Sequence, residues 1–161
     1  MLRNASSRAK SVLAQHLETL SVVTRGEGFT DLTGQLNGLI ATSGLQLGLL
    51  NLTSLHTSCS LTINENADPQ VRVDLTAHLQ ALAPVEGIRP VSGLGQLRPY
   101  GHADEGPDDM PAHIRTALTC THLGLSFRQG RLLLGTWQAV YLWEHRRLGS
   151  RRQLAVHLLG E

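Results

Sequence analysis

The sequence predicts an α+β domain in which three helices pack on mainly antiparallel sheet. Three observations carry this expectation. Apolar residues repeat at helical spacing in three segments flanked by capping signals, alternation of period two fills much of the remainder, and the Gln129–Gly130 pair supplies hairpin turn chemistry. Taken in order, residues 1–14 are expected to form a flexible tail and residues 15–161 the single folded domain. The first eleven residues carry Arg3, Arg8 and Lys10 among serines, with no acid and no periodicity. A first helix is predicted over about 31–41, where Thr30 or Asp31 offers a cap and Leu32, Leu36, Leu39 and Ile40 recur, with Gly44 ending the turn that follows. From Leu45 to Ile63 odd positions are largely apolar, and His56, Ser58 and Ser60 share the polar face of one extended run. That face is either the wall of a site or a solvated sheet surface. A second helix begins at Asp68 with Pro69 in its first position, carries Val71, Leu75, Leu79 and Leu82, and stops before Pro84. A third, shorter helix begins near Asp109 and Pro111, with His113 in its first turn. The stretch Leu132 to Glu144 is apolar on both faces, so it is expected to be a central strand or one covered by another subunit. Leu154, Val156 and Leu158 alternate with polar neighbours as in a half-buried last strand. Residues 86–109 form the main irregular segment, rich in Gly and Pro and then acidic.

Length and composition narrow the functional classes. A chain of 161 residues is enough for one domain that buries roughly 70% of its unfolded surface without a disulfide or a metal. Two cysteines do not make a disulfide framework, and with no secretory signal the expected compartment is the reducing cytoplasm. No apolar stretch reaches the 18 or so residues that a membrane helix requires, so no membrane partner is expected. Residues 61–110 hold eight acids against three arginines, whereas residues 111–161 hold seven arginines against two acids. These halves should pair within the fold or between subunits. With a formal net charge of +1 and no basic stripe interleaved with aromatics, nucleic acid is not an expected partner. There is no Gly-rich phosphate loop and no nucleophile elbow, and the one lysine, Lys10, lies in the tail, which argues against Schiff-base chemistry.

Eight histidines provide the main chemical signal. His56 on the polar run, His102 in the irregular segment and His113 at the third helix come from separate elements. If they converge they make a zinc-type site with one position left for water. His16, His78, His122, His145 and His157 are read as structural. The carboxylates Asp104, Glu105, Asp108 and Asp109 are either a solvated loop or, folded over the histidines, a group that orients an imidazole or accepts a proton. Glu144 closes an apolar strand beside Arg146 and Arg147, where a buried acid needs a partner. Arg146, Arg147, Arg151 and Arg152 are able to hold a phosphate, or the acidic half of a neighbouring chain. Cys59 falls on the apolar side and is read as core.

The segments HTSCSLTINENADPQV (His56 to Val71), YGHADEGPDDMPAHIR (Tyr100 to Arg115) and GRLLLGTWQAVYLWEHRR (Gly130 to Arg147), with the ending Gly160–Glu161, resemble the YjbQ-type family in order and spacing over about residues 15–161. Its members are commonly labelled secondary thiamine-phosphate synthases. The resemblance implies a compact α+β fold assembled as a homotrimer and points to His56, His102 and His113, the histidines of the three matching motifs, as a shared site. Asn64, Glu65, Gln138 and Glu144 match further family positions. Cys59 stands where the family often has Ala, Ala139 where Gly is usual, and EGPDDM where many members carry GD-x-N, so Asp108 or Asp109 would replace that asparagine's contact. The first functional expectation is therefore transfer of a pyrimidine carried as its diphosphate to a thiazole phosphate. Magnesium suits the diphosphate, and Arg115 and the Arg146 to Arg152 cluster are the available cations. Three imidazoles suit zinc better, which gives the alternative of zinc-assisted hydrolysis of a small phosphate or amide, with Asp104, Glu105 or Glu144 as base. A third alternative is a non-catalytic trimer that binds a metal or small ligand. Catalytic roles are thus assigned to Glu105, Asp108, Glu144 and Gln138, contacts to a small phosphorylated molecule to Ser58, Asn64, Arg115 and Arg146, and metal ligation to His56, His102 and His113.

Overall fold

The structure is a computed structural model that describes residues 12–161. The tail expected over 1–14 lies outside the described residues except for 12–14, and Ala14 already begins a strand. Eight strands and three α-helices follow in the order β1 (Ala14–Val23), β2 (Gly28–Asp31), α1 (Thr33–Ser43), β3 (Leu47–Ser54), β4 (Cys59–Glu65), α2 (Pro69–Leu82), α3 (Asp109–Leu118), β5 (His122–Arg128), β6 (Arg131–Leu132), β7 (Gln138–Glu144) and β8 (Arg151–Gly160). They build two antiparallel sheets, one of five strands in the order β1-β8-β3-β5-β6 and one of three in the order β2-β7-β4. The domain is α+β with three helices, as the periodicity predicts.

Local chemistry explains where the elements begin and end. Asp68 Oδ1 accepts from the Gln70 N–H at 2.8 Å, and Pro69 occupies the position where a missing N–H costs nothing, so α2 starts there. Asp31 Oδ1 accepts from Thr33 N–H at 2.8 Å, which starts α1 two residues later than expected, and Gly44 ends it at φ 76°. Between β5 and β6, Gln129 and Gly130 both have positive φ, 53° and 71°, the geometry of a hairpin turn whose twist matches its strands.

The core lies between the sheets and under α1. Leu36 and Ile40 of α1, Leu50 and Leu52 of β3, Phe127 of β5 and Leu154, Val156 and Leu158 of β8 meet Leu61 of β4 and Leu142 of β7, all buried. β3 and β8 approach so closely that a Cβ on Gly48 would sit 2.2 Å from the Leu159 carbonyl oxygen and 2.7 Å from Phe127 Cζ.

Two expected strands divide. The alternating run from Leu45 to Ile63 is β3 and β4, which lie in different sheets, and residues 55–58 are the crossing between them. Ser60 does not share a face with His56: it is fully buried, with its Oγ 2.8 Å from His145 Nε2. Likewise Leu132 to Glu144 is β6, a turn and β7, again in different sheets, and Trp137 in the turn is exposed. β7 is buried on both faces within one chain. Val140 and Leu142 face the core, and α2 reaches the other side, where Arg72 stacks over Tyr141 and donates to its hydroxyl. A second subunit is not needed to cover it.

Candidate metal centre

Four stretches meet at the edge of the three-stranded sheet: the crossing at 55–58, the irregular segment before α3, the first turns of α3 and the start of β8. Asp109 opens α3 and its side chain is 2% exposed. Four residues on, His113 lies one helical turn away on the same face, its Nε2 3.4 Å from Asp109 Oδ1. His102, from the loop, brings its Nε2 to 3.2 Å from Asp109 Oδ2, with its ring centroid 5.3 Å from that of His113. One donor atom from each of the three falls within 4.8 Å of the others.

The tautomer of His113 is fixed by its other nitrogen. Nδ1 lies 2.9 Å from the Thr57 carbonyl oxygen, which only accepts, so Nδ1 carries a proton and Nε2 is the nitrogen turned toward the Asp109 carboxylate. A proton on Nε2 or a metal cation between the two atoms satisfies this contact equally. A ligating imidazole that donates its far N–H to a carbonyl is also the usual support of a metal-bound histidine.

Arg146 holds the carboxylates in place. Its guanidinium donates to Asp109 Oδ1 at 2.7 Å, Asp108 Oδ2 at 3.2 Å, and Glu105 Oε2 and O at 3.0 and 2.6 Å. The remaining oxygen of Asp109 accepts the Glu105 N–H at 3.1 Å. Burial raises the pKa of Asp108, but the Arg147 N–H, 2.8 Å away, and the Arg146 charge outweigh it and hold the carboxyl below its ordinary value. The acidic middle and basic end of the sequence thus meet within one chain here.

A cavity of about 380 Å³ opens onto this cluster, a size suited to a small molecule, and His56, Ser58 and Arg152 also line it. His56 is a lining residue outside the ligand cluster, not a third imidazole in it. Its Nε2 accepts the Gln153 N–H at 2.8 Å, which occupies that lone pair and leaves the proton on Nδ1. Burial, then the Arg152 charge, lower its pKa. Asp109 takes the place expected of it. The signal for Asp109 was present as Asp-x-x-x-His at a helix start, the spacing that stacks two side chains on one face.

The other expected residues are placed as follows. Glu105 and Asp104 line the cavity, their side chains 77% and 90% exposed. Asp108 is used by Arg146 and Arg147. Glu144 is fully buried away from the cavity: Arg152 grips it through Nε and Nη2 at 2.7 and 2.5 Å, Thr24 Oγ1 donates at 2.8 Å and the Arg146 N–H at 3.0 Å. Burial raises its pKa, and these donors overcompensate and lower it. With its lone pairs taken, Glu144 is not a base for the cavity. Gln138 is exposed and turns its Oε1 back to the Gly135 N–H at 2.8 Å, a turn contact. Asn64 Oδ1 accepts the Glu65 N–H, also locally. Arg115, in the last turn of α3, is buried and donates to Glu27 at 2.6 Å and to the Ala83 carbonyl at 2.9 Å, and Arg146 is held by the acids, so neither faces the cavity as a free cation.

Fold and site together define a small two-sheet α+β domain with a buried-carboxylate, two-histidine cluster at a cavity. The family model described as UPF0047 protein YjbQ-like matches residues 18–161, and the chain belongs to this family. It is 43% identical to UPF0047 protein sll1880 of Synechocystis sp. over 91% of this chain and 93% of that one, and 40% identical to UPF0047 protein YjbQ of Salmonella typhimurium over 89% and 96%. The crystal structure of a conserved hypothetical protein from Thermus thermophilus superposes with a TM-score of 0.71 at 36% identity, over 88% of this chain and 98% of that one.

Proposed function

We propose that this chain binds a divalent cation, zinc by its ligand chemistry, at His102, Asp109 and His113, and uses it in a reaction on a small phosphorylated molecule. The observation that carries the reading is the convergence of one donor atom each from His102, Asp109 and His113 within 4.8 Å, with Nδ1 of His113 held by the Thr57 carbonyl so that Nε2 is the nitrogen offered. Two imidazoles and one carboxylate match the donor set of zinc sites that keep open positions, whereas magnesium prefers oxygen ligands alone. Zinc in such a site supplies Lewis acidity and acidifies water. Glu105 and Asp104, exposed at the cavity, are the carboxylates placed to take a proton, so hydrolysis of a phosphate ester is the favoured reaction class. Two free cysteines, Cys59 and Cys120, fit a reducing compartment such as the cytoplasm.

We also infer self-association, with the homotrimer as the form the family resemblance implies. Leu17, Leu49 and Leu159 lie on the outward face of the five-stranded sheet, all exposed and close in register, and supply apolar surface for an assembly. Light scattering gives the mass directly, and a monomer at micromolar concentration overturns this part.

The test of function is elemental analysis and zinc titration of the purified protein, followed by assays of a phosphate-ester panel and of thiamine-phosphate formation, with Asp109→Asn as control. Stoichiometric zinc and ester hydrolysis lost in the variant are expected. Thiamine phosphate formed above the control selects the transferase alternative, retention without turnover selects the binding protein, and a chain that takes up no divalent metal overturns the reading.

A further inference from the structure

Among the described residues, three buried or half-buried side chains that line this cavity keep an N–H or O–H with no acceptor within the protein. The first is Arg152, whose side chain is 7% exposed. A guanidinium carries five N–H groups in a fixed fork. Glu144 takes the edge formed by Nε and Nη2, which leaves Nη1 and the outward N–H of Nη2 free. Nη1 is not one of the polar atoms sealed from solvent without a partner, so its open edge retains access. The second is the Nδ1–H of His56, which is fixed as a donor because Nε2 accepts from Gln153, the residue after Arg152. The third is the hydroxyl of Ser58, a residue only 8% exposed whose carbonyl, but not its side chain, is used by the fold.

We propose that Arg152, His56 and Ser58 form an oxyanion subsite that takes the phosphoryl group of the ligand. Donors that only solvent satisfies in a partly buried wall are free to exchange that water for an anion rich in oxygens, which accepts from all of them through charge-assisted bonds. Three donors from the 55–58 crossing and the start of β8 suit a tetrahedral phosphoryl group with three free oxygens better than a planar carboxylate with two. Glu144 pins the guanidinium, so little side-chain freedom is lost on binding. Nearby Asp104, Glu105 and Asp109 repel an anion, and a cation at Asp109 offsets that charge. The cooperation with a cation rests on the reading above, whereas the subsite itself does not.

The test is calorimetric titration of inorganic phosphate, and of acetate, into metal-free and zinc-loaded protein. The variants are Ser58→Ala, His56→Phe, Arg152→Lys and the double variant Glu144→Gln with Arg152→Gln. Phosphate should bind at least tenfold more tightly than acetate. Its affinity should fall at least fivefold in Ser58→Ala, His56→Phe and Arg152→Lys, and at least tenfold in the double variant, with zinc affinity unchanged throughout. If the double variant fails to fold, the three single variants decide. Phosphate affinity within twofold of wild type in those variants, or no phosphate binding at all, overturns the subsite even if zinc binds. Arg152-dependent phosphate binding in a protein that takes up no zinc leaves the subsite standing and removes the metal. Equal affinity for acetate overturns the phosphoryl assignment.

Discussion

His113 and Asp109 stand one helical turn apart, with Nε2 of the imidazole 3.4 Å from Oδ1 of the carboxylate. The helix sets the spacing, the Thr57 carbonyl sets the tautomer, and Arg146 sets the carboxylate. The imidazole, the carboxylate and the guanidinium can each be substituted separately, whereas the Thr57 contact is main chain and persists in every variant.

Removal of the carboxylate should affect metal more than fold. Asp109→Asn is expected to lower zinc affinity at least a hundredfold, as are His102→Ala and His113→Ala, because each deletes one of three ligands. His56→Phe should keep the zinc stoichiometry of wild type. Competition with a chromogenic chelator measures all four, and equal losses for His56→Phe would return that residue to the ligand set.

Arg146 acts on the metal through Asp109. Arg146→Gln should reduce zinc affinity about 10–100-fold, the usual effect of losing an outer support of a ligand. The same titration, run beside a thermal melt, separates this from global unfolding.

Glu144 and Arg152 are a buried pair joined by two hydrogen bonds, so breaking it leaves one charge uncompensated. Glu144→Gln should cost about 3 kcal/mol in urea unfolding, and pairing it with Arg152→Gln should recover part of that. The Glu144 pKa is lower folded than unfolded. Its stabilisation is therefore present above the ordinary carboxylate value and disappears as pH falls through the depressed folded one.

His145 adds a second acid-sensitive limb at higher pH. Its ring is 1% exposed with Nδ1 unpartnered, and burial, followed by the Arg115 charge, lowers its pKa from 6.5 to about 4. Between those values the unfolded chain binds the proton and the folded one does not, so stability declines as pH drops from about 6.5 to about 4. At 1.36 kcal/mol per pH unit the decline approaches about 3 kcal/mol. His145→Gln should flatten that interval and leave the Glu144 limb below it, as urea titrations across pH 3–8 will show.

What the sequence makes legible is what neighbours in the chain decide. Asp68 and Pro69 start α2 without help from the rest of the fold, Gln129 and Gly130 bend the hairpin, and the alternation through Leu154, Val156 and Leu158 orients β8. The runs that divide into β3 and β4, or β6 and β7, were not legible because period two reports which face a residue occupies and not which sheet it joins. The polar parity that grouped His56 with Ser58 does bring both to the cavity, yet the partner that commits His56 Nε2 is a backbone N–H at Gln153, which no side-chain pattern reveals. Asp109 sits in an acidic run that looks solvated. Its burial depends on Arg146, 37 residues later, and only the folded chain brings the two together.

The antiparallel pairing of β1 with β8 joins Ala14 to Gly160, and β3 is flanked by β5 and β8, both of which follow it in the chain. Loop closure over such separations must precede any reward from the contacts, which makes this a slow-folding topology. During synthesis the β1 and β3 edges emerge long before their partner and stay open to intermolecular pairing. Yield in a cell should therefore track translation speed and chaperone supply more closely than it tracks the melting temperature of the finished molecule.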